Sequence, residues 1–467
     1  MTTIEPISIL LPSGKTIVLN EQQCEALSRM KSWLVGDDTL TFTLSGFAGT
    51  GKTTIAKELI QYFYTAFAYR SIAVSAPTHK AKKVIQRATG ESSYTIQKLL
   101  GLRPNTELED FDINNPKFDE KGRKEIQSHK LVIIDEGSML NEDLFDLIIK
   151  EAKKSGTKIL FMGDEAQLPP VNESLSRIFT HVDEKYQLTK VERQSDSNPI
   201  MKIYDAIRSD IKSPVDKFRH VTETNLSGEG IVFKNNLIEF QEKVFTLFCS
   251  KDFKEDSDFV KLIAYTNDSV QAWNKKIRSH IFPHATKPIV KGDILFAYNT
   301  VLIDMEETVI ENSSDYIVES VCESRSEDKI EIYSVMLRSV DEGNRTKVQI
   351  VKDEAMQHFI VQFKRKLEDA KSSMGRMRKI KWSQYYEFKN NHLLLRDVLD
   401  SSGKLLARKD IDYGYAITVH KSQGSTFTNV AISEVNIDRN KNNEERNKLK
   451  YVAFSRPTHQ AIIFTKK

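Results

Sequence analysis

Eight consecutive residues, Gly46-Phe47-Ala48-Gly49-Thr50-Gly51-Lys52-Thr53, have the composition and spacing of a phosphate-binding loop, G-x-x-x-x-G-K-[ST]. Gly46, Gly49 and Gly51 let successive backbone N–H groups converge on phosphate oxygens, and a helix N-terminus directly behind the loop adds partial positive charge. In that chemistry Lys52 reaches the β- and γ-phosphates and the Thr53 hydroxyl ligates Mg²⁺, with Thr50 and Thr54 completing the cradle. The flanking residues supply the elements such a loop needs. Leu40 to Ser45 alternates apolar and small polar side chains as a strand does, and Thr54 to Ile60 has helical spacing. A nucleoside triphosphate is the ligand this stretch predicts.

Further along, Leu131-Val132-Ile133-Ile134 is a continuous apolar run, the pattern of a strand covered on both faces, and it ends in Asp135-Glu136. An acidic pair at that place suits metal binding by Asp135 and activation of an attacking water by Glu136. A third strand pattern, Thr157 to Met162, runs into Gly163-Asp164-Glu165-Ala166-Gln167, where the Gln167 amide could sense a γ-phosphate.

The chain has 467 residues, 39% hydrophobic and 28% charged, enough for two to four packed units of ordinary globular composition. No apolar stretch reaches the ~20 residues of a membrane-spanning helix, and the opening residues lack the pattern of a signal peptide. Three cysteines, Cys24, Cys249 and Cys322, stand far apart, which suits a reducing compartment and excludes a zinc ribbon or disulfide framework. Net charge is only +3, so any nucleic-acid contact must use a local basic surface.

Taken in order, residues 1–18 read as a short hairpin, and Asn20 as the N-cap of a helix running to Leu34. An α/β pattern then extends to Gln194, interrupted at 103–130 by an excursion, rich in Pro, Asn and Gly, that reads as a hairpin. A second α/β pattern occupies 199–290 and resumes near 405. Between them, 291–352 holds short alternating strands, a small-barrel pattern. The basic helical stretch that follows contains Lys364, Arg365, Lys366, Lys371, Arg376, Arg378, Lys379 and Lys381, then Trp382, Tyr385, Tyr386 and Phe388. Cations with rings suit a single-stranded nucleic-acid surface, and a solvated helix face with Trp382 in the core suits the same composition equally.

The ordered set of motifs resembles the superfamily 1B helicases of the RecD-like group, from Leu19 to Arg456. Besides the phosphate loop, it comprises Ala76-Pro77-Thr78-His79-Lys80-Ala81, Asp135-Glu136, Gly163-Asp164 with Gln167-Leu168-Pro169-Pro170, Thr418 to Gly424, and Tyr451-Val452-Ala453 with Arg456. The resemblance implies an α/β fold of two RecA-like P-loop domains with parallel sheets, a hairpin (pin) insertion in the first and an SH3-like β-barrel insertion in the second. The implied boundaries are 1–195 for the first domain including the 103–130 pin, 196–290 and 405–467 for the second, and 291–404 for the inserted unit. ATP and Mg²⁺ are the implied cofactors. Gln23 is the implied adenine reader and Gly424 a further nucleotide-site residue. Lys52, Thr53, Asp135 and Glu136 form the implied hydrolytic core. By the same resemblance Gln167 couples γ-phosphate to closure, and Arg193 and Arg456 reach the γ-phosphate from the far side of the cleft.

For DNA the implied contacts are Thr78, His79, Lys80, Thr95 and Gln97 on the first domain and Thr266, Asn267, His420 and Lys421 on the second. Phe118, or alternatively Phe111, is the implied pin aromatic, and Trp382 a further contact. The implied activity is ATP-dependent 5′→3′ movement on single-stranded DNA with unwinding at single-/double-strand junctions. A monomer in the cytoplasm of a bacterial or phage-infected cell is the implied setting, with a single-stranded-DNA-binding protein or replication and recombination factors as partners and no membrane. The motifs depart from the usual pattern at Ser455 before Arg456, at Thr458, where a second basic residue usually follows Pro457, at Gly137 after Glu136, and at Gln97, where many relatives carry His. An RNA-directed translocase and a nucleotide-gated binding switch are the alternative readings. Matched DNA and RNA oligonucleotides separate the first, and the complete hydrolytic set weighs against the second.

Overall fold

Leu131–Ile134 forms a strand with all four side chains buried, as a strand covered on both faces must. Around it lies a six-stranded, wholly parallel sheet in the order Glu184–Leu188, Thr41–Gly46, Lys158–Gly163, Leu131–Ile134, Ile72–Ala76, Ser92–Thr95. The structure is a computed structural model and describes the chain except residues 1–7, 11–15, 68–70, 105–117, 120–121, 171, 191–197, 212, 214–217, 304–306, 401 and 467. One face of this sheet packs on the helices Glu21–Val35 and Lys52–Ala66 through Leu27, Met30, Ile55, Leu59 and Phe63. The other packs on Glu142–Ser155 through Phe145 and Ile148. Asn20 caps the first helix as its sequence predicts: its side chain accepts the Gln23 N–H, and Gln23 returns the bond to the Asn20 backbone.

A second sheet of six strands runs Glu223–Thr224, Gly230–Lys234, Pro457–Phe464, Phe427–Ser433, Val260–Ala264, Ala416–Thr418, parallel except at the first, short strand. Two parallel-sheet α/β lobes are thus built, the second from segments on either side of residues 291–404. That interval contributes four strands of a five-stranded antiparallel sheet, in the order Arg345–Val351, Glu331–Ser339, Asp315–Arg325 and Ile294–Ala297, and Ile411–Tyr413, just beyond it, adds the fifth. In the 103–130 excursion Arg103–Pro104 pairs antiparallel with Phe118–Asp119. The rest of that turn, with Phe111, and the Phe118 side chain lie outside the described residues.

The basic stretch forms a pair of helices, Met356–Ser372 and Gly375–Asn391. Trp382 corrects the stacking expectation. It is 3% exposed and packs against Tyr385 and Tyr386, beside Phe359 and Phe363. The two helices need apolar side chains between them, and the rings supply that seam, so no aromatic face is left for a base. Arg365, Lys371, Arg376 and Lys379 remain on the outside.

Buried ion pairs tie the second lobe together. Glu434 meets His220 Nε2 and Lys450 Nζ, each at 2.8 Å. Burial alone would raise its carboxyl, but hydrogen bonds and charge from His220 and Lys450 outweigh it and hold the group at about 2. The folded value lies below the unfolded one, so this contribution is complete above about pH 4.5 and lost as pH falls towards 2. Its size is at most about 3 kcal/mol. The Glu434→Gln variant is accordingly expected to show a flatter fall in thermal midpoint between those pH values than the parent. Equal slopes would show that Glu434 is not a principal acid-sensitive group.

Candidate nucleotide site and strand-contacting surface

Because the first sheet is parallel, the segments that leave its strands emerge at one edge. The phosphate loop follows Thr41–Gly46, Thr78 follows Ile72–Ala76, Asp135 follows Leu131–Ile134 and Asp164 follows Lys158–Gly163. Gly49 and Gly51 have φ of 83° and 85°, the left-handed conformation that glycine permits. At Gly51 a Cβ would also come within 2.5 Å of the Gln23 side-chain nitrogen. No side chain caps the helix Lys52–Ala66, which leaves its first-turn N–H groups for an anion. Lys52 Nζ donates to the carbonyls of Gly46 at 2.6 Å and Phe47 at 3.1 Å. Thr53 and Thr54 lie in the first turn, and the Thr50 hydroxyl donates to the Phe47 carbonyl.

Gln23 is buried beneath the loop, its side-chain N–H donating to the Thr50 carbonyl at 3.0 Å. In this arrangement its amide braces the loop as well as standing near it. Gln22, not singled out from sequence, bonds Thr189 and Lys190 with both ends of its amide.

Asp135 accepts the backbone N–H of Glu136 at 2.9 Å, and Glu136 itself has φ 51°, uncommon for a non-glycine residue. Burial raises the Asp135 carboxyl. Burial and then the charge of Asp135 push Glu136 up to about 7, against the pull of Arg456 and Lys52. Asp164 is likewise raised by burial and countered first by Lys52. One lysine thus acts on three recessed carboxylates. Gln167 is 7% exposed, and its side-chain oxygen has no hydrogen-bond partner among the described residues.

The second lobe meets this edge with the amino-terminal side of its own sheet. Arg456 immediately precedes the strand Pro457–Phe464 and is 4% exposed. Its guanidinium bonds the Val452 and Ser425 carbonyls and the Ser455 hydroxyl, and its charge acts on Glu136 and Asp164. Gly424, with φ 71°, lies where a Cβ would stand 3.7 Å from Glu136 Cγ. The Arg208 guanidinium lies 3.9 Å over the Phe47 ring, a contact that sequence reading missed. Arg193 lies outside the described residues.

These residues fit a magnesium–triphosphate complex. The uncapped helix turn, Lys52 and the orphaned Gln167 oxygen suit the phosphates and a water. Thr53 and Asp135 offer the hard oxygen donors that Mg²⁺ shares with phosphate oxygens. Among the described residues no group of three or more His, Cys, Asp or Glu could hold a metal ion.

Of the expected strand contacts, Thr78 caps the helix His79–Thr89 and Thr95 the single turn Ile96–Leu99, with Gln97 half-buried beside Thr95. His79 Nδ1 lies 3.0 Å from Glu311, and Lys80 Nζ lies 3.2 Å from Asp258, both acids belonging to residues beyond 196. Lys83 joins the same Glu311 at 2.8 Å and Glu342 at 3.2 Å. On the second lobe Thr266 caps the helix Asn267–Ile281 and lines a cleft of about 370 Å³ with Lys276, Asn436 and Arg439. Asn267 and His420 are exposed, and Lys421 contacts Asn312 and Ser313 at 3.2 Å.

Residues 18–224 match the family model described as an AAA domain, and residues 413–464 that of the UvrD-like helicase C-terminal domain. An uncharacterized protein, R530, of Acanthamoeba polyphaga mimivirus is 25% identical across 95% of this chain and 99% of its own length. The ATP-dependent DNA helicase dda of Enterobacteria phage T4 is 29% identical over 54% of this chain and 55% of that protein. For the ATP-dependent RecD2 DNA helicase of Deinococcus radiodurans the match is 28% identical over 45% of this chain and 27% of that one. The chain therefore spans about half and about a quarter of the lengths of those two helicases. Among solved structures, two coordinating Pif1 helicases at forked duplex DNA share the fold, with a TM-score of 0.53, 17% identity, and coverage of 97% of this chain and 93% of that one.

Proposed function

Because the chain belongs with the superfamily 1B helicases of the Dda, RecD and Pif1 type, we propose that it is an ATP-driven DNA helicase moving 5′→3′ on single strands. The observation that carries this reading is the meeting of two sheet edges. The phosphate loop, Asp135, Glu136 and Gln167 stand on one, and Arg456 and Gly424 are delivered from the other. A guanidinium supplied by the second lobe stabilises transition-state charge only when the cleft is shut, which ties hydrolysis to closure and closure to a step along the strand. Thr53 and Asp135 would hold Mg²⁺, whose chemistry is to neutralise charge on the β- and γ-phosphates. Glu136 orients and deprotonates the attacking water. Gln23 contacts the adenine end, and Arg193 joins Arg456. Residues 1–195 and 196–290 with 405–467 form the two lobes, 291–404 the inserted SH3-like unit, and 103–130 the pin, with Phe118 at the junction.

Thr78, His79, Lys80, Thr95 and Gln97, then Thr266, Asn267, His420 and Lys421, take the strand's backbone. The carboxylates of Asp258 and Glu311 already occupy Lys80 and His79, so a phosphate must compete with them. Burial would raise Glu311, yet the hydrogen bond and charge of His79 with those of Lys83 hold it at about 2, so it stays ionised at neutral pH. The double variant Asp258→Asn, Glu311→Gln is therefore expected to bind oligo(dT) about tenfold more tightly at low salt, a gap that narrows as salt rises. Weaker binding would mean that the acids orient these cations for the strand.

Unwinding of duplexes carrying either a 5′ or a 3′ single-stranded tail tests the whole reading. Activity from the 5′ tail is expected, and activity from the 3′ tail alone would overturn the polarity. Stimulation of ATP hydrolysis by RNA oligonucleotides but not by matched DNA would move the assignment to an RNA translocase.

A further inference from the structure

Tyr451 belongs to the helix Asn443–Phe454 of the second lobe, yet its hydroxyl lies within the first lobe's site. The side chain is 2% exposed. Its O–H donates to Asp164 Oδ2 at 2.8 Å and receives the phosphate-loop N–H of Ala48 at a long 3.4 Å. Asp164 in turn orders the loop that carries Gln167. Its Oδ1 accepts the Ala166 N–H at 2.9 Å, and its carbonyl accepts the Gln167 N–H at 3.1 Å. Beyond Gln167, the Leu168 carbonyl accepts a weak bond from the Gln423 side chain, again from the second lobe. Ala166 and Leu168 pack into the second lobe's core beside Tyr451 and Val452. The turn bearing Gln167 is therefore gripped at both ends from across the cleft, while the Gln167 side-chain oxygen has no hydrogen-bond partner among the described residues.

We infer that Tyr451 is a positioning residue for Gln167, setting the glutamine against the γ-phosphate when the two lobes come together. The inference rests on the nucleotide site and hydrolysis proposed above. The ring of Tyr451 fills the core, and a phenylalanine would fill it equally. The hydroxyl contributes something different, a hydrogen bond to a carboxylate whose other oxygen fixes the Gln167 turn. Such a bond to a charged group is stronger than a neutral one, and its loss frees the turn without emptying the core. The device makes Gln167 answer to closure by direct contact, with no moving part other than the lobes.

The Tyr451→Phe variant tests this. At saturating oligo(dT), kcat for ATP hydrolysis is expected to fall about tenfold, with KM for ATP and the affinity for a fluorescent ATP analogue within about twofold of the parent. In a Gln167→Ala background the same Phe substitution is expected to change kcat by less than about twofold, since the group it positions is gone. An unchanged kcat in Tyr451→Phe would overturn the inference, as would an equal loss with and without Gln167. The equal loss would mean that the hydroxyl serves the fold alone, and a matching fall in thermal midpoint would accompany it. A parent whose turnover is not stimulated by DNA would instead overturn the helicase reading, and the same cycle on basal turnover would still decide Tyr451.

Discussion

Replacing Lys52 with Ala is expected to lower DNA-stimulated ATP hydrolysis by about a thousandfold or more. The lysine has two jobs, and the structure shows both. In the arrangement described, its ammonium closes the phosphate loop on itself through the Gly46 and Phe47 carbonyls. Its charge also opposes the burial that raises Asp135, Glu136 and Asp164. Without it, a highly charged triphosphate would enter a site holding three acids and one fewer cation. Binding and turnover should therefore both fall, and equilibrium binding of a fluorescent ATP analogue measures the first of these separately. The Lys52→Arg variant keeps the charge but not the compact ammonium, so it should bind nucleotide better than Lys52→Ala while remaining slow. Parental turnover in Lys52→Ala would remove the assignment of this loop as the catalytic site.

What could be read from the sequence was what lies close together along it. The phosphate loop is eight consecutive residues, and its strand and helix flank it directly. Leu131–Ile134 announces a doubly covered strand by composition, and the structure buries all four residues. The alternating patterns beyond residue 291 appear as strands, and the structure pairs them antiparallel. In each case local periodicity and the tertiary environment agree, which is where pattern reading succeeds. Trp382 shows the opposite case. A tryptophan next to cations has the same sequence whether it faces a base or a neighbouring helix, and only the packing of Met356–Ser372 against Gly375–Asn391 decides for the helix.

The contacts across the cleft were not legible for a different reason. Tyr451 and Asp164 are 287 positions apart, and Arg208 reaches Phe47 from a helix on the other lobe. No spacing rule connects such pairs. They exist because the carboxyl edge of one sheet faces the amino edge of the other. The acids at 258 and 311 are likewise 178 and 232 positions from Lys80 and His79, too far for spacing to pair them.

Arg456→Ala carries the second large expectation, a loss of about a thousandfold in kcat with ATP affinity changed far less. Arg456 is anchored by the Val452 carbonyl and Ser455 hydroxyl of its own turn and by the Ser425 carbonyl of the segment before Phe427–Ser433, so its guanidinium is held before any nucleotide arrives. Preorganisation of that kind lowers the barrier, because little reorientation is needed as charge builds on the γ-phosphate. The same anchoring raises a structural objection, since a buried arginine also stabilises the loop it bonds. Two measurements separate the roles. The thermal midpoint reads the loss of the anchoring bonds, whereas kcat reads the missing cation. The Arg456→Lys variant should recover part of the first by reaching one carbonyl, yet little of the second, because a single ammonium cannot hold the anchor and face the phosphate at once. Near-parental kcat in Arg456→Lys, or a loss confined to ATP affinity in Arg456→Ala, would place the transition-state cation elsewhere, with Arg193 the next residue to replace.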